Sequence, residues 1–353
     1  MNNLKNSLEK EGFTGYIIAK EKNILYFTGF LGGARLLIPR DGENILYVHE
    51  VNYESAKQTT KNCNVKLVKM GKDVDLMIAN QIKNLKLKHV GFDELNTSIY
   101  LKLTKVLNNV KLEARKKMVR DLREVKDKTE INYMRKAAEI TSEGIKKAFE
   151  TLRKISGLRE YEVAAEIEYT MRKLGSDGVA FDSIVASGVR TAFPHGGCTD
   201  RKIRKGDLVI IDVGAKYKNY ASDLTRTVIV GNSSRKQIKI FNIVKEAQQK
   251  AFQNIQEGIK ARAIDTTARD FIKNKGYGNY FVHNLGHGVG LDVHESPTLS
   301  PENEEILKAG NVVTVEPGVY ITDFGGIRIE DTVLVQKNGA EKLTKSDYKL
   351  EIQ

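Results

Sequence analysis

LVIIDVGAKYKNYASDLTRTVIV, Leu208 to Val230, decides how this chain folds. Two runs rich in β-branched residues are joined by a short polar connection, the pattern of two strands folded back on one another. Side chains alternate across a strand, so Leu208, Ile210 and Asp212 share one face of the first run. On the return run Asp223, Thr225 and Thr227 share a face. A hairpin thus brings two carboxylates together in an apolar setting, which is repulsive unless a cation lies between them.

Further along, three more segments place polar ligand atoms in or beside apolar runs: HNLGHGVGLDVHE (His283 to Glu295), VVTVEPGVY with Glu316, and GGIRIEDT with Glu330. His287 has Gly on both sides, so its backbone can approach a sheet closely while its ring projects into a cleft. Val312, Thr314 and Glu316 fall on one strand face, and Pro317-Gly318 ends that strand. Arg328 and Glu330 share a face, opposite Ile327 and Ile329. Taken alone, that last segment reads equally as a plain Arg-Glu pair on a half-exposed strand. Four carboxylates to one imidazole suit Mn, Co or Zn better than a thiolate zinc site would. Five ligands exceed one open tetrahedral centre. Carboxylates bridging two ions about 3.5–4 Å apart would use them all and leave a bridging water as nucleophile.

A chain of 353 residues is longer than one core usually supports, so two domains are expected. The net charge of +12 is spread through the sequence, densest at Lys111 to Arg123 and Arg201 to Lys205. Neither stretch interleaves aromatic residues or carries a nucleic-acid-binding signature, so a solvated basic surface is expected and no nucleic-acid partner. The N-terminal residues lack a signal-like apolar core, and no apolar run is long enough to span a bilayer. Cys63 and Cys198 lack metal-ligand spacing and fit a reducing compartment. A cytoplasmic protein with no membrane contact is the expectation. Cys198, just beyond the His195-Gly-Gly turn, is a conceivable reactive thiol but has no identifiable activating base.

From Gly15 to Asp93 short β-rich pieces recur (GYIIA, NILYFTGF, ARLLIP, NILYV, VKLV, HVGFD), with helical spacing in VDLMIANQIKNL and SIYLKLTKVL. This predicts an α/β domain over residues 1–122. The charged stretch Val119 to Lys128 is the seam, and the second domain covers 123–353. Asp127 with Glu130 resembles a capping box, opening a helix whose apolar face includes Ile131, Met134, Ala138, Ile145 and Leu152. A second helix from Glu160, inward at Val163, Ile167, Met171 and Leu174, stops at Gly175. A third, from Arg235, is expected to bury Ile238, Phe241, Val244, Ala251 and Ile255, and Asp265 to cap a fourth. Helices then strands, twice over, predict an α+β domain whose helices cover a mainly antiparallel sheet.

The ordered set Asp212, Asp223, His287, Glu316 and Glu330, within DVG, SDLTRT, GHGVGLDVHE, EPGVY and GIRIEDT, resembles the dinuclear pita-bread metallopeptidases. Among these it is most similar to the Xaa-Pro peptidases, aminopeptidase P and prolidase. The resemblance covers nearly the whole chain, since NILYFTGF and HVGFDE are similar to the creatinase/prolidase-type N-terminal domain. It implies that Asp212, Asp223, His287, Glu316 and Glu330 hold two divalent ions (Mn, Co or Zn), with Glu316 also shuttling a proton. It implies that His195, His283 and His294 line the substrate pocket and stabilise the oxyanion, that Arg328 supports the last ligand, and that the enzyme is a homodimer.

The substrates implied are peptides with proline second. Methionine aminopeptidases share the ligand logic but generally lack the N-terminal domain, and creatinases lack the metal set. A non-catalytic binding protein of this fold would have lost ligands, and none is lost. In prolidases an Arg commonly follows the His-Glu-x-Pro segment and can hold a dipeptide's free carboxylate; here Thr298 stands at that place. A charge-assisted contact is roughly twice as strong as a neutral one. Its absence favours an Xaa-Pro aminopeptidase over the alternative, an Xaa-Pro dipeptidase.

Overall fold

In the computed structural model, which describes residues 1–154 and 157–352, strands Leu208–Val213 and Leu224–Val230 pair antiparallel with Asp212 opposite Thr225. The hairpin runs on through Ala215–Tyr217 and Tyr220–Ala221. It closes at Lys218 and Asn219, both at positive φ (50° and 66°), the geometry that matches the strands' own twist. Gly214 is required where the ladder passes the two acids: a Cβ there would lie 2.2 Å from the Ser222 carbonyl oxygen and 2.7 Å from the Phe181 ring.

This hairpin belongs to a four-stranded sheet ordered Glu351–Ile352, Leu224–Val230, Leu208–Val213, Ile184–Ser187. A five-stranded sheet follows, ordered Glu295–Leu299, Gly286–Gly288, Val312–Val315, Asp331–Gln336, Gly339–Lys342, and Gly318–Ile321 pairs with Gly325–Arg328 as a ribbon. Apart from the parallel contact of Glu351–Ile352 with Leu224–Val230, the pairings described in these sheets are antiparallel.

Each large sheet is covered by a helix pair. Lys128–Lys154 starts at the expected capping box: Asp127 Oδ1 accepts from the Thr129 and Glu130 amides (2.7 and 2.9 Å), and Glu130 Oε2 accepts from the Asp127 amide (2.9 Å). With Glu160–Lys173 it packs Ile145, Phe149, Ile167 and Met171 on Val185, Val209 and Ile211. Arg235–Gln253 and Ala261–Asn274 pack Val244, Ala251, Ile264 and Ile272 against Val313, Val315, Ile329 and Val333. Three expectations fail in detail. Leu174 and Ile238 sit at 45% and 42% exposure rather than inward. Asp265 is no cap; it lies inside its helix, fully buried, bonded to Arg269.

The chain divides into two compact units, Met1–Arg123 and Glu124–Gln353. The first is a six-stranded mixed sheet with cores on both faces: Tyr16, Ile18, Leu36 and Ile38 face one, Ile17, Leu37, Ile45 and Tyr47 the other. Val74–Asn84 and Thr97–Val106 are helices, as their spacing predicts. NILYFTGF is not a strand: Glu21–Thr28 is helical, burying Asn23, Ile24, Phe27 and Thr28 at helical spacing and ending on Gly29 at φ 71°. No helix among the described residues is long and apolar enough to cross a membrane.

Gly214→Ala should cost about 1–3 kcal/mol of stability through overpacking. Gly197→Ala, whose Cβ would meet nothing within 4 Å, should leave the urea midpoint unchanged. Equal midpoints for the two variants would contradict the close approach at the hairpin.

Candidate metal centre

Asp212 comes from the hairpin's first strand and Asp223 from the residue preceding its second, on the same face as Thr225. His287 is carried by Gly286–Gly288, where a Cβ on Gly286 would lie 2.1 Å from the Thr314 carbonyl oxygen and one on Gly288 2.3 Å from that of Ser296. The flanking glycines thus let this short strand press onto its neighbours. Glu316 follows Val312–Val315 directly, and Glu330 sits between Arg328 and the strand Asp331–Gln336.

These elements converge. Ligand atoms of Asp223, His287 and Glu330 all lie within 4.8 Å of one another. His287 Nε2 is 3.3 Å from Glu316 Oε1 and 3.7 Å from Asp223 Oδ2. The Nδ1 of His287 faces the Gly288 carbonyl oxygen at 3.1 Å and must donate to it, so Nε2 presents a lone pair to carboxylate oxygens. Burial pushes the His287 pKa down, keeping the ring in its neutral, ligating form. A lone pair and carboxylates at these distances require a cation or a proton between them.

The acids carry the same signature. Burial first, then their mutual charges, push Asp223 and Glu330 well above the usual carboxylate range. Burial raises Glu316 to about 7. Asp212 Oδ1 and Asp223 Oδ1 are buried with no hydrogen-bond partner among the described residues. Such orphaned oxygens beside a neutral imidazole fit divalent cations.

Hydroxyls and one guanidinium fix the remaining oxygens. Thr225 Oγ1 donates to Glu330 Oε2 (2.6 Å) and Thr314 Oγ1 to Glu316 Oε1 (3.1 Å). Arg328 is buried and pairs with Asp212 Oδ2 at 2.7 Å, so the plain surface Arg-Glu pair is not what forms. Arg328 Nη1 donates to the Tyr320 hydroxyl (2.7 Å) and the Pro194 carbonyl oxygen (3.2 Å). The Tyr320 hydroxyl is 3.0 Å from His283 Nε2, while His283 Nδ1 donates to the Asn284 carbonyl oxygen at 2.7 Å. Asp212, Arg328, Tyr320 and His283 therefore form one chain. Tyr320 was not singled out from sequence. Its signal was present, since it falls within EPGVY, but an aromatic on a strand is usually core.

His195 and His294 are exposed, and the His294 ring centroid lies 4.1 Å from that of His287. Burial lowers His283 to about 4, and burial and the neighbouring His287 lower His294. Cys198 is not an activated thiol: burial raises its pKa, its Sγ accepts from the Val185 amide (3.2 Å) and it donates to the Ser183 carbonyl oxygen (3.1 Å).

A model of metallopeptidase family M24 matches residues 132–337, and one of the creatinase/prolidase N-terminal domain matches residues 1–125. The chain belongs to metallopeptidase family M24 and is a metallo-exopeptidase of the Xaa-Pro peptidase group. An Xaa-Pro dipeptidase of Pyrococcus furiosus is 43% identical over 347 residues, 97% of each chain. The structure of an Xaa-Pro dipeptidase from Bacillus anthracis superposes with a TM-score of 0.94 at 36% identity, covering 100% of this chain and 98% of that one. An X-Pro aminopeptidase from Thermotoga maritima gives 0.92 at 35% identity, covering 100% and 99%.

The raised carboxyls predict a pH effect in metal-free protein. A carboxyl whose pKa rises on folding stabilises the fold while protonated, and that contribution is lost as pH climbs through the folded value. Near pH 7 the histidines are mostly neutral in both states, so Glu316, raised to about 7, carries the change there, with Asp223 and Glu330 shifted in the same direction. With chelator present, the melting temperature should fall as pH rises through about 7, and Mn should abolish the fall. A flat profile for the metal-free protein would contradict the buried, uncompensated cluster.

Proposed function

We propose that the chain hydrolyses the peptide bond between an N-terminal residue and proline, with Xaa-Pro dipeptides as its main substrates. The observation that carries this reading is the convergence of Asp223, His287 and Glu330, with Asp212 and Glu316 beside them, in a chain similar along its length to a named Xaa-Pro dipeptidase. The preference for an aminopeptidase drawn from Thr298 alone gains no specific support from these relatives. It stands as the second reading, resting on Thr298.

Asp212, Asp223, His287, Glu316 and Glu330 would hold two divalent ions, Mn, Co or Zn. When bound, these supply Lewis-acid polarisation of the scissile carbonyl and activation of water. The chain's own groups do the rest. Glu316, whose Oε1 lies 3.3 Å from His287 Nε2, is the carboxylate placed to take a proton and return it to the departing prolyl nitrogen. That nitrogen has no N–H in the substrate, so a site that grips the substrate without needing this donor suits the bond. His195 and His294, both exposed, can contact the peptide and its developing oxyanion. His283, held through Tyr320 and Arg328, supports that face. The reading includes a homodimeric, cytoplasmic enzyme.

Reconstituted protein should cleave Ala-Pro faster than Ala-Pro-Ala, with Mn, Co and Zn compared in parallel; the reverse order would favour the aminopeptidase. Outer-shell changes at metal sites typically cost about 10–100-fold, so Asp223→Asn should lose at least that in kcat/KM together with metal content. Full activity in Asp223→Asn would remove the metal assignment.

A further inference from the structure

Two of the histidines assigned to the substrate sit on loops that are each tied to a helix by a carboxylate with no solvent exposure. Glu160, the first residue of Glu160–Lys173, is fully buried. Its Oε1 accepts from the Ser187 amide (2.8 Å) and hydroxyl (2.7 Å), and its Oε2 from the Thr199 amide (2.9 Å) and hydroxyl (2.6 Å). Ser187 and Thr199 bracket the segment carrying His195, so one carboxylate pins both of its ends. Arg190, inside the segment, pairs with Glu160 Oε2 and donates through Nη2 to the Gly197 carbonyl oxygen (2.8 Å), two residues past His195.

The second loop repeats the device with unrelated residues. Asp265, fully buried on Ala261–Asn274, accepts from Arg269 Nε (2.7 Å) and Nη2 (2.8 Å) and from the Leu285 amide (3.0 Å). Arg269 in turn donates to the carbonyl oxygens of Phe281 (3.1 Å) and of His283 itself (2.8 Å). A buried ion pair is a poor route to stability, since well-packed apolar residues often serve as well or better. What a carboxylate and a forked guanidinium provide is geometry: several backbone and side-chain donors and acceptors held in one arrangement.

We propose that Glu160–Arg190 and Asp265–Arg269 are positioning pairs that set His195 and His283 for the substrate. This inference rests on the substrate role proposed above for those histidines. Misplacing a catalytic contact by about 1 Å can cost on the order of 100-fold.

The test uses metal-loaded full-length protein carrying Arg190→Lys or Arg269→Lys, which keep the charge and lose the fork. Each should lower kcat/KM on Ala-Pro about 10- to 100-fold, with metal content unchanged. Amide exchange should quicken within 188–199 for Arg190→Lys and within 281–285 for Arg269→Lys. Added to His195→Ala or His283→Ala respectively, each lysine variant should cost nothing further, the non-additivity of residues acting through one another. A general structural role would instead give the same loss in both backgrounds and overturn the proposal, as would faster exchange with unchanged kcat/KM. If a lysine variant does not fold, Glu160→Gln or Asp265→Asn is read in the same way. Wild-type protein inactive on every Xaa-Pro peptide would refute the function; unchanged exchange in the variants would refute the loop-holding independently.

Discussion

The constraint on which the catalytic unit depends is electrostatic: acids that repel one another are held together in a place that water barely reaches. Asp223 and Glu330 are 5% and 2% exposed, and each is driven towards its protonated form by burial and by the others. Such a cluster does not persist through its own contacts. It persists because four apolar strand segments, anchored by two helix pairs, leave it nowhere else to go. The strain is the binding energy for cations: a site that stabilises protons at neutral pH in their absence will exchange them for divalent metal.

Around the acids lies a shell whose work is to keep oxygens apart and aimed. Thr225 and Thr314 each donate to one carboxylate of the cluster. Thr332 donates to the Asp223 carbonyl oxygen and accepts from the Asp223 amide. Behind Glu330, Arg226 donates to its carbonyl oxygen and pairs with Asp331 at 2.8 Å, and Lys342 pairs with the same acid at 2.8 Å. Burial alone would raise the Asp331 pKa, but Arg226 and Lys342 outweigh it and hold the group below the usual range. Neighbouring carboxylates in sequence, Glu330 and Asp331, are thus pushed in opposite directions by what each one faces. One is left among other acids and the other is already neutralised by protein cations.

Much of this was legible in the residues. The hairpin followed from alternation in Leu208 to Val230, the capping box from Asp127 and Glu130, and the candidate ligand set from charges placed where apolar strands should exclude them. The failures share a cause. NILYFT carries β-formers that tertiary burial of Ile24 and Phe27 turns into a helix. Asp265 looked like a cap because Asp is favoured at helix N-caps, and its partner Arg269 shows otherwise only once the helix is placed. Tyr320 and Arg269 went unmarked in the sequence, and Glu160 stood only as a helix start, because their hydrogen bonds run to loops elsewhere in the chain.

By itself the sequence determined which chemistry had to be present: local periodicity set the strands, and carboxylates with a glycine-flanked histidine inside apolar runs demanded a cation. Only the tertiary structure decided which group meets which. Arg328 and Asp212 lie 116 positions apart and meet at 2.7 Å; Thr225 and Glu330 lie 105 apart and meet at 2.6 Å. The reason is physical: a side chain's alternation is set by its neighbours along the chain, whereas its partner is set by how sheets and helices pack, which residue spacing does not encode.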